Sequence, residues 1–194
     1  LLLDSIPEPL REAAREPFGA RAVVYVLLLD PRDEQVVTAQ IDRIRSFAEK
    51  GVPEMVEKLR SSVQELDEAA RMPLIELTLG SLRQLSQSQY EQFSQNLNAL
   101  IEADDKTSLF EWALQRMMSR HLAPTFEGRQ RTSVQYYNLR GVRQPLSQLL
   151  STLVYAGHQD LDEAKRAFES AKAKLEMDDL QLIDPKQCGL KALG

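Results

Sequence analysis

The feature that most constrains the fold of this chain is a pair of amphipathic segments joined by the polar residues 103–107. In both segments large side chains recur three and four positions apart, as they do on the buried face of a helix. They are Tyr90, Phe93, Leu97, Leu100 and Ile101 in the first segment and Phe110, Leu114, Met117 and His121 in the second. Ser86 and Ser108 each precede a Gln or Glu by three positions, a capping-box spacing that predicts where the two helices begin. Because the turn is short, the pair is predicted to form an antiparallel hairpin.

Similar patterns fill most of the remaining sequence. We predict helices at about 7–16, 18–29, 33–49, 53–66, 70–85, 87–103, 108–122, 145–156 and 160–176. Five prolines, which are tolerated in a first helical turn, stand at or near these starts: Pro7, Pro31, Pro53, Pro73 and Pro145. The clearest apolar stripe lies in the eighth helix and consists of Leu146, Leu149, Leu150, Leu153 and Val154. The predicted fold class is therefore all-α, an array of antiparallel helical hairpins.

One sizeable stretch, 123–144, lacks a helical pattern. It contains Thr132–Leu139, which is rich in β-formers, and four flanking arginines: Arg129, Arg131, Arg140 and Arg143. Arginines interleaved with aromatic residues can bind nucleic acid, so this function stays open as an alternative. The chain carries a net charge of −5, however, and a connecting arm is the favoured interpretation. The predicted organisation is a helical domain at 1–122, an arm at 123–144, and a helical hairpin with a tail at 145–194.

Few residues in this chain can support catalysis or bind metal. It has two histidines and one cysteine, and it contains no HExxH zinc motif, P-loop, GxSxG or dinucleotide-binding fingerprint. The acidic turn at 104–105 does not fit a calcium loop, because Leu109 occupies the position that requires glycine. His121 is expected to cap the end of its helix. We expect a soluble, non-catalytic domain without metal or other cofactor, and no nucleic-acid partner.

Four aromatic and basic residues are candidates for contact with a protein partner: Trp112, Arg116, Tyr136 and Arg140. Packing within the helical domain is the simpler interpretation for Trp112. At the C-terminus, Leu180–Ile183 are predicted to pack on the core. Cys188–Gly194 resembles the opening of a further helix, which either docks weakly or pairs with another copy of the chain.

The chain resembles the C-terminal region of bacterial membrane-bound zinc metalloproteases of the HtpX-related peptidase family. The resemblance lies in Leu82–Pro124, in which LFEWALQR is the most specific part, and in Ile6–Asp30, Arg71–Leu85 and Cys188–Gly194. The hairpin at 87–122 is also similar, more weakly, to the helical tellurite-resistance (TerB-like) fold.

The first resemblance implies a non-catalytic accessory domain that engages the protease domain, a protein substrate or a regulator. Zinc and the transmembrane helices of such a protease lie N-terminal to this region, and no residue here matches a zinc ligand. The parent would sit at the cytoplasmic side of the bacterial inner membrane, and the opening Leu1 suggests a piece of a longer protein. The TerB-like resemblance implies instead a free-standing stress-response module that binds proteins.

Overall fold

The computed structural model describes residues 3, 5–30, 33–103, 107–128 and 138–193. Within these ranges the secondary structure is entirely helical, which confirms the predicted all-α class. The α-helices are α1 (Glu8–Ala14), α2 (Pro17–Leu27), α3 (Glu34–Phe47), α4 (Val52–Gln64), α5 (Glu68–Leu82), α6 (Gln87–Ile101), α7 (Leu109–Phe126), α8 (Arg143–Gly157) and α9 (Leu161–Leu175). One short 3-10 turn, Leu139–Val142, precedes α8, and two more, Pro185–Gln187 and Leu190–Leu193, follow α9. Among these described helices, none has the length and apolar character needed to cross a bilayer.

The chain divides into two compact units, 1–130 and 131–194. The core of the first unit is built around α2, which packs against α1, α4 and α5. Every residue of α2 from Gly19 to Leu27 is buried, because neighbouring helices cover it on all sides. Even Arg21 is buried there, and its charge is balanced by an ion pair with Glu49 at 2.7 Å.

Both predicted capping boxes are present. The Ser86 hydroxyl accepts the backbone N–H of Gln89, and the Gln89 side chain accepts the backbone N–H of Ser86. Ser108 and Glu111 make the same reciprocal pair at the start of α7. These bonds satisfy N–H groups that have no partner inside the helix, so the sequence pattern locates both helix starts.

α7 departs from the prediction in length and in orientation. It continues through Pro124 to Phe126 instead of ending at 122, and its buried positions are Leu114, Met118 and Leu122. Pro124 lies in the last turn, where it removes only one helical hydrogen bond, and contacts made by Phe126 support the extra turn. The prediction that His121 caps the helix end was therefore wrong. Its Nδ1 atom lies 3.3 Å from the Arg83 guanidinium.

The bounds predicted for the arm, 123–144, differ from those of the structure. Residues 123–126 belong to α7, Leu139–Val142 form a 3-10 turn, and α8 begins at Arg143. The β-rich residues 132–137 lie outside the described part of the chain. α5 begins at Glu68 with Asp67 as its N-cap, so Pro73 stands inside this helix and not at its start.

The second unit contains α8, α9 and the tail that follows them. Its core consists of Val154, Ala164, Phe168, Met177 and Leu180. The tail packs on this core through Leu180, as predicted. The predicted leucine stripe of α8 was partly right. Val154 is buried and Leu146 and Leu150 pack on this core, but the most buried positions are Ser147, Ser151 and Thr152, and Leu153 is 37% exposed.

Candidate functional site

A concave surface of the first unit lies in a cleft between α6 and α7. Its volume is about 300 Å³, the lower end of the range for ligand sites. Apolar side chains form the floor, since Phe93, Leu97, Met118 and Leu122 are all buried. Polar groups line the remainder: Tyr90, Ser94, Asn98, Gln115, Arg116, Ser119 and Glu127.

Helical periodicity places these side chains in the cleft. On α6 the lining residues are separated by steps of three and one, so they occupy one face. On α7 the lining residues span two helical turns, on the side of the helix next to the buried Leu114. The cleft is therefore a product of two parallel rows of side chains on facing helices, with polar residues flanking each apolar stripe.

One end of the cleft is closed by Tyr90 and the last turn of α7. The Tyr90 ring stacks on Phe126, with centroids 4.3 Å apart and planes 8° from parallel. Its hydroxyl donates to Oε1 of Glu127 at 2.5 Å. Burial, and then the hydrogen bond to this carboxylate, raise the pKa of Tyr90 to about 12, because ionisation would put a second negative charge beside Glu127. Tyr90 therefore acts as a hydrogen-bond donor at neutral pH.

The other end is closed by two amides. Nε2 of Gln115 donates to Oδ1 of Asn98 at 2.9 Å. Each amide retains a further donor or acceptor that this bond leaves uncommitted. Between the two ends, Ser94 and Ser119 line the cleft from opposite helices. The lining therefore offers both donors and acceptors, a combination that suits the amide groups of a polypeptide.

The rim carries a single arginine, Arg116, whose side chain is exposed. Its Cζ atom lies 5.7 Å from the centroid of the Trp112 ring, one helical turn earlier. This cation–π contact holds the guanidinium beside the cleft. Within the described residues Arg116 makes no ion pair, so its charge is available to an acidic group.

The structure thus brings together two of the four predicted partner-binding residues. Trp112 and Arg116 form one stacked pair at the rim. Arg140 lies in the turn Leu139–Val142, but its side chain is outside the described part, as is Tyr136. The sequence pattern placed Tyr90 only on the apolar face of its helix, and it did not single out Glu127 as a functional residue. A signal was present, because polar residues flank the apolar stripes at helical spacing, at Ser94 and Asn98 and again at Gln115 and Ser119.

A second, smaller depression lies between α2, α3 and α4, with a volume of about 170 Å³. Its mouth carries the ion pair of Arg60 and Glu34, in which two guanidinium nitrogens donate at 3.1 and 2.7 Å. The hydrogen bond from Arg60 lowers the pKa of Glu34. Because Arg60 and Glu34 already pair with each other, neither charge is left for a ligand. The α6–α7 cleft, whose Arg116 makes no ion pair with a described residue, is therefore the better candidate site.

No group of three or more His, Cys, Asp or Glu side chains in the described ranges is arranged to hold a metal ion. Comparison with known proteins adds no relative: neither a protein-family model, nor a curated protein, nor a solved structure matches this chain.

Proposed function

We propose that this chain is a non-catalytic accessory domain of a membrane-associated zinc-dependent metalloendopeptidase. In this proposal the α6–α7 cleft binds a polypeptide segment, either of the protease domain itself or of a protein that the protease cuts or that regulates it. Zinc would be held by the catalytic domain of the parent, at the cytoplasmic side of the bacterial inner membrane.

The observation that carries the proposal is the position of the segment LFEWALQR, which forms the first two turns of α7. This is the part of the chain that most specifically resembles the protease family. Its last two residues, Gln115 and Arg116, line the cleft, and its Trp112 holds Arg116 at the rim. The same segment packs Phe110 and Leu114 on the core, so its two cleft-lining polar residues, Gln115 and Arg116, are not needed for that packing.

The lining chemistry supports a polypeptide as the ligand. An apolar floor can bury one or two side chains, while the amides and hydroxyls at the walls can pair with backbone N–H and C=O groups. Arg116 adds a positive charge for an acidic side chain at the edge. Among the lining residues no serine has a base positioned to activate it, and the carboxylate of Glu127 is occupied by Tyr90.

The parent assignment is tested by locating the chain in its source cells. An antibody raised against the purified chain should detect a membrane-bound polypeptide heavier than 22.0 kDa, and mass spectrometry of that band should find a peptide containing HExxH. A soluble band of about the size of the chain alone would contradict the proposal and favour the free-standing TerB-like module.

The cleft is tested separately by photo-crosslinking in the same cells. A benzoyl-phenylalanine at the position of Arg116 should link to a peptide of the protease domain, its substrate or its regulator. The matched control is Arg43, another arginine stacked one turn from an aromatic residue, at 5.8 Å from the Phe47 ring but on α3. Equal cross-linking from both positions would show that the contact is not specific to the cleft.

A further inference from the structure

The α6–α7 cleft is crossed at each end by a hydrogen bond that joins its two walls. At one end Tyr90 of α6 donates to Glu127, the residue that follows α7. At the other end Gln115 of α7 donates to Asn98 of α6. Tyr90 and Asn98 are eight residues apart on α6, so about 12 Å of helix separates these two bridges. The cleft is therefore a short trough and not a continuous groove.

The length of the trough limits the polypeptide that it can hold. An extended chain advances about 3.3 Å per residue, so about three or four residues fill the distance between the bridges. A segment from the interior of a chain must enter the trough and also leave it, over a bridge or back across the rim. The end of a chain needs to enter only once. The shape of the cleft therefore favours a chain end as its ligand.

The charges of the cleft indicate which end of a chain it suits. Two of the described lining residues are charged, Arg116 and Glu127. Oε1 of Glu127 already accepts the hydrogen bond of Tyr90. Arg116 makes no ion pair with any described residue, so it would repel an N-terminal ammonium and attract a C-terminal carboxylate. The cleft therefore suits a C-terminus.

A carboxylate can reach Arg116 from an acidic side chain or from a chain end, and the neighbours of Arg116 distinguish the two. Met118, two positions further along α7, belongs to the buried apolar floor. In a C-terminal residue the carboxylate and the side chain leave the same Cα atom, so one apolar residue contacts both Arg116 and the floor. An acidic side chain has its charge at the tip, and a second residue would have to fill the floor.

The backbone N–H of such a C-terminal residue also has an acceptor. The bond to Asn98 uses Nε2 of Gln115, the residue before Arg116, and leaves Oε1 of Gln115 to accept. An N–H donor, a carboxylate and an apolar side chain are the three groups of a C-terminal apolar residue. The cleft presents a partner for each of them.

We propose that the α6–α7 cleft recognises the free C-terminal residue of a polypeptide, with its carboxylate on Arg116, its apolar side chain on the floor and its N–H on Gln115. Trp112 is a positioning residue, because its ring stacks on the Arg116 guanidinium at 5.7 Å. This inference rests on the function proposed above, in which the cleft binds a polypeptide, and it narrows the ligand to a chain end. A peptidase creates a new C-terminus at each cut, so the cleft would bind one of the two products.

The carboxylate is tested by calorimetry with the full chain and two forms of one peptide. N-acetyl-Ala-Ala-Ala-Leu with a free carboxylate should bind at least about tenfold more tightly than the same peptide with a C-terminal amide, since the amide lacks the charged partner of Arg116. N-acetyl-Ala-Ala-Glu-Leu-amide is the matched control, which has the same charge and the same leucine but no free end. It should bind as weakly as the uncharged amide.

Two results of this experiment would overturn the proposal. If the glutamate-containing amide binds as tightly as the free acid, Arg116 recognises an acidic side chain and not a chain end. If the free acid does not bind at millimolar concentration, the cleft is not a site for C-termini.

Two further ligands test the floor and the need for a polypeptide. N-acetyl-Ala-Ala-Ala-Ser with a free carboxylate should bind at least about tenfold more weakly than the leucine peptide, because serine leaves the apolar floor uncovered. N-acetyl-leucine alone should also bind more weakly, since it lacks the preceding residues. Equal affinity for N-acetyl-leucine and the leucine peptide would show that the site takes a small carboxylate, and the proposal of a polypeptide ligand would be wrong.

The position of the ligand is tested with two arginine variants. Arg116→Gln should reduce binding of the free acid to the level of the amide. Arg120→Gln is the matched control, since Arg120 is exposed on α7 outside the cleft lining, and it should leave binding within a few-fold. Trp112 is the only tryptophan in the sequence, so its fluorescence should change when the free acid binds. Equal losses in both variants, or binding without a fluorescence change, would place the ligand elsewhere.

The peptide captured by cross-linking at position 116 in cells separates this inference from the proposed function. A captured C-terminal peptide supports both. A captured internal peptide of the protease domain, its substrate or its regulator would support the proposed function and overturn chain-end recognition. Selective binding of the free acid by the purified chain, without a membrane-bound parent in the cells, would support chain-end recognition and overturn the proposed parent.

Discussion

At the scale of single residues, Gly19 marks the closest approach between α1 and α2. A Cβ atom added there would lie 2.4 Å from the carbonyl oxygen of Ala13 and 2.8 Å from its Cα. Both are backbone atoms, so no side-chain rotation can relieve the contact. The absence of a side chain at this position is therefore what allows the two helices to pack.

We expect Gly19→Ala to destabilise the protein by about 1–3 kcal/mol, because α1 or α2 must shift. The control is Gly80→Ala in α5, where an added Cβ has no neighbour within 4 Å. That change should stabilise the protein by about 0.5–1 kcal/mol, the ordinary preference for alanine in a helix. Urea unfolding measures both, and equal effects of the two changes would contradict the packing argument.

Two buried tyrosines predict a loss of stability in alkaline solution. Burial raises the pKa of Tyr25 to about 12, and burial with Glu127 raises that of Tyr90 to about 12, from an ordinary 10.0. Below the ordinary value both states keep the proton. Between about pH 10 and 12 the unfolded chain releases protons that the folded chain retains, so stability falls as the pH rises.

Tyr25→Phe and Tyr90→Phe should each make this alkaline decline less steep. Urea unfolding at a series of pH values from about 8 to 11.5 gives the slope for each protein. The region below about pH 9 serves as the baseline, because neither tyrosine ionises appreciably there in either state. A double variant that loses stability as steeply as the wild type would show that other groups cause the decline.

At the scale of helices, the residue at which a helix begins depends on side chains nearby in the sequence. The face that the helix buries depends on segments far away in the sequence. The capping boxes of α6 and α7 are contained within four residues each, and the sequence pattern located both. The buried face of α7 was predicted from spacing alone as Phe110, Leu114, Met117 and His121. The structure fully buries Leu114, Met118 and Leu122, and only partly buries Phe110 and Met117. A shift of one residue turns a helix by about 100°, and spacing alone does not distinguish two adjacent apolar rows.

We expect Ser108→Ala to lower stability by about 1 kcal/mol, because the N–H of Glu111 loses its acceptor at the start of α7. Ser61→Ala is the control, since Ser61 is exposed within α4 and lies away from the start of that helix. It should be neutral or slightly stabilising, as alanine is the better helix former. A similar loss in both variants would show that the cap is not responsible.

At the scale of the whole molecule, the two units have cores of very different size. Among the described residues, the buried cluster of the second unit has five members, while that of the first unit draws on α1 to α7. The two clusters have no member in common. Stability should therefore be distributed unevenly along the chain.

We expect two unfolding transitions, with the second unit unfolding first. Phe168→Ala should shift only the early transition, since it removes the largest apolar side chain of the small core at a cost of about 3–5 kcal/mol. Leu114→Ala, in the larger core, should shift only the later one. Hydrogen exchange during urea unfolding separates the two, and one transition that responds to both substitutions would contradict independent unfolding.

The purified chain is expected to bind no stoichiometric zinc and to cleave no protein substrate. Two histidines and one cysteine provide too few of the preferred ligands for a three-ligand site. The tests are metal analysis after chelation and zinc re-addition, and a casein cleavage assay. One tightly bound zinc per chain would refute this expectation.

The sequence alone determined the all-α class and the approximate limits of the nine predicted helices, because periodicity and caps are local properties. It also placed Trp112 and Arg116 one helical turn apart, and the structure stacks these two side chains. Only the tertiary structure decided that α8 buries its serines, since the groups that need them, at Gln181 and Ile183, lie more than 30 residues further along the chain. The same holds for the cleft, where Tyr90 meets Glu127 across 37 residues. Hydrogen-bond partners so far apart leave no local signature, and the folded chain alone brings them together.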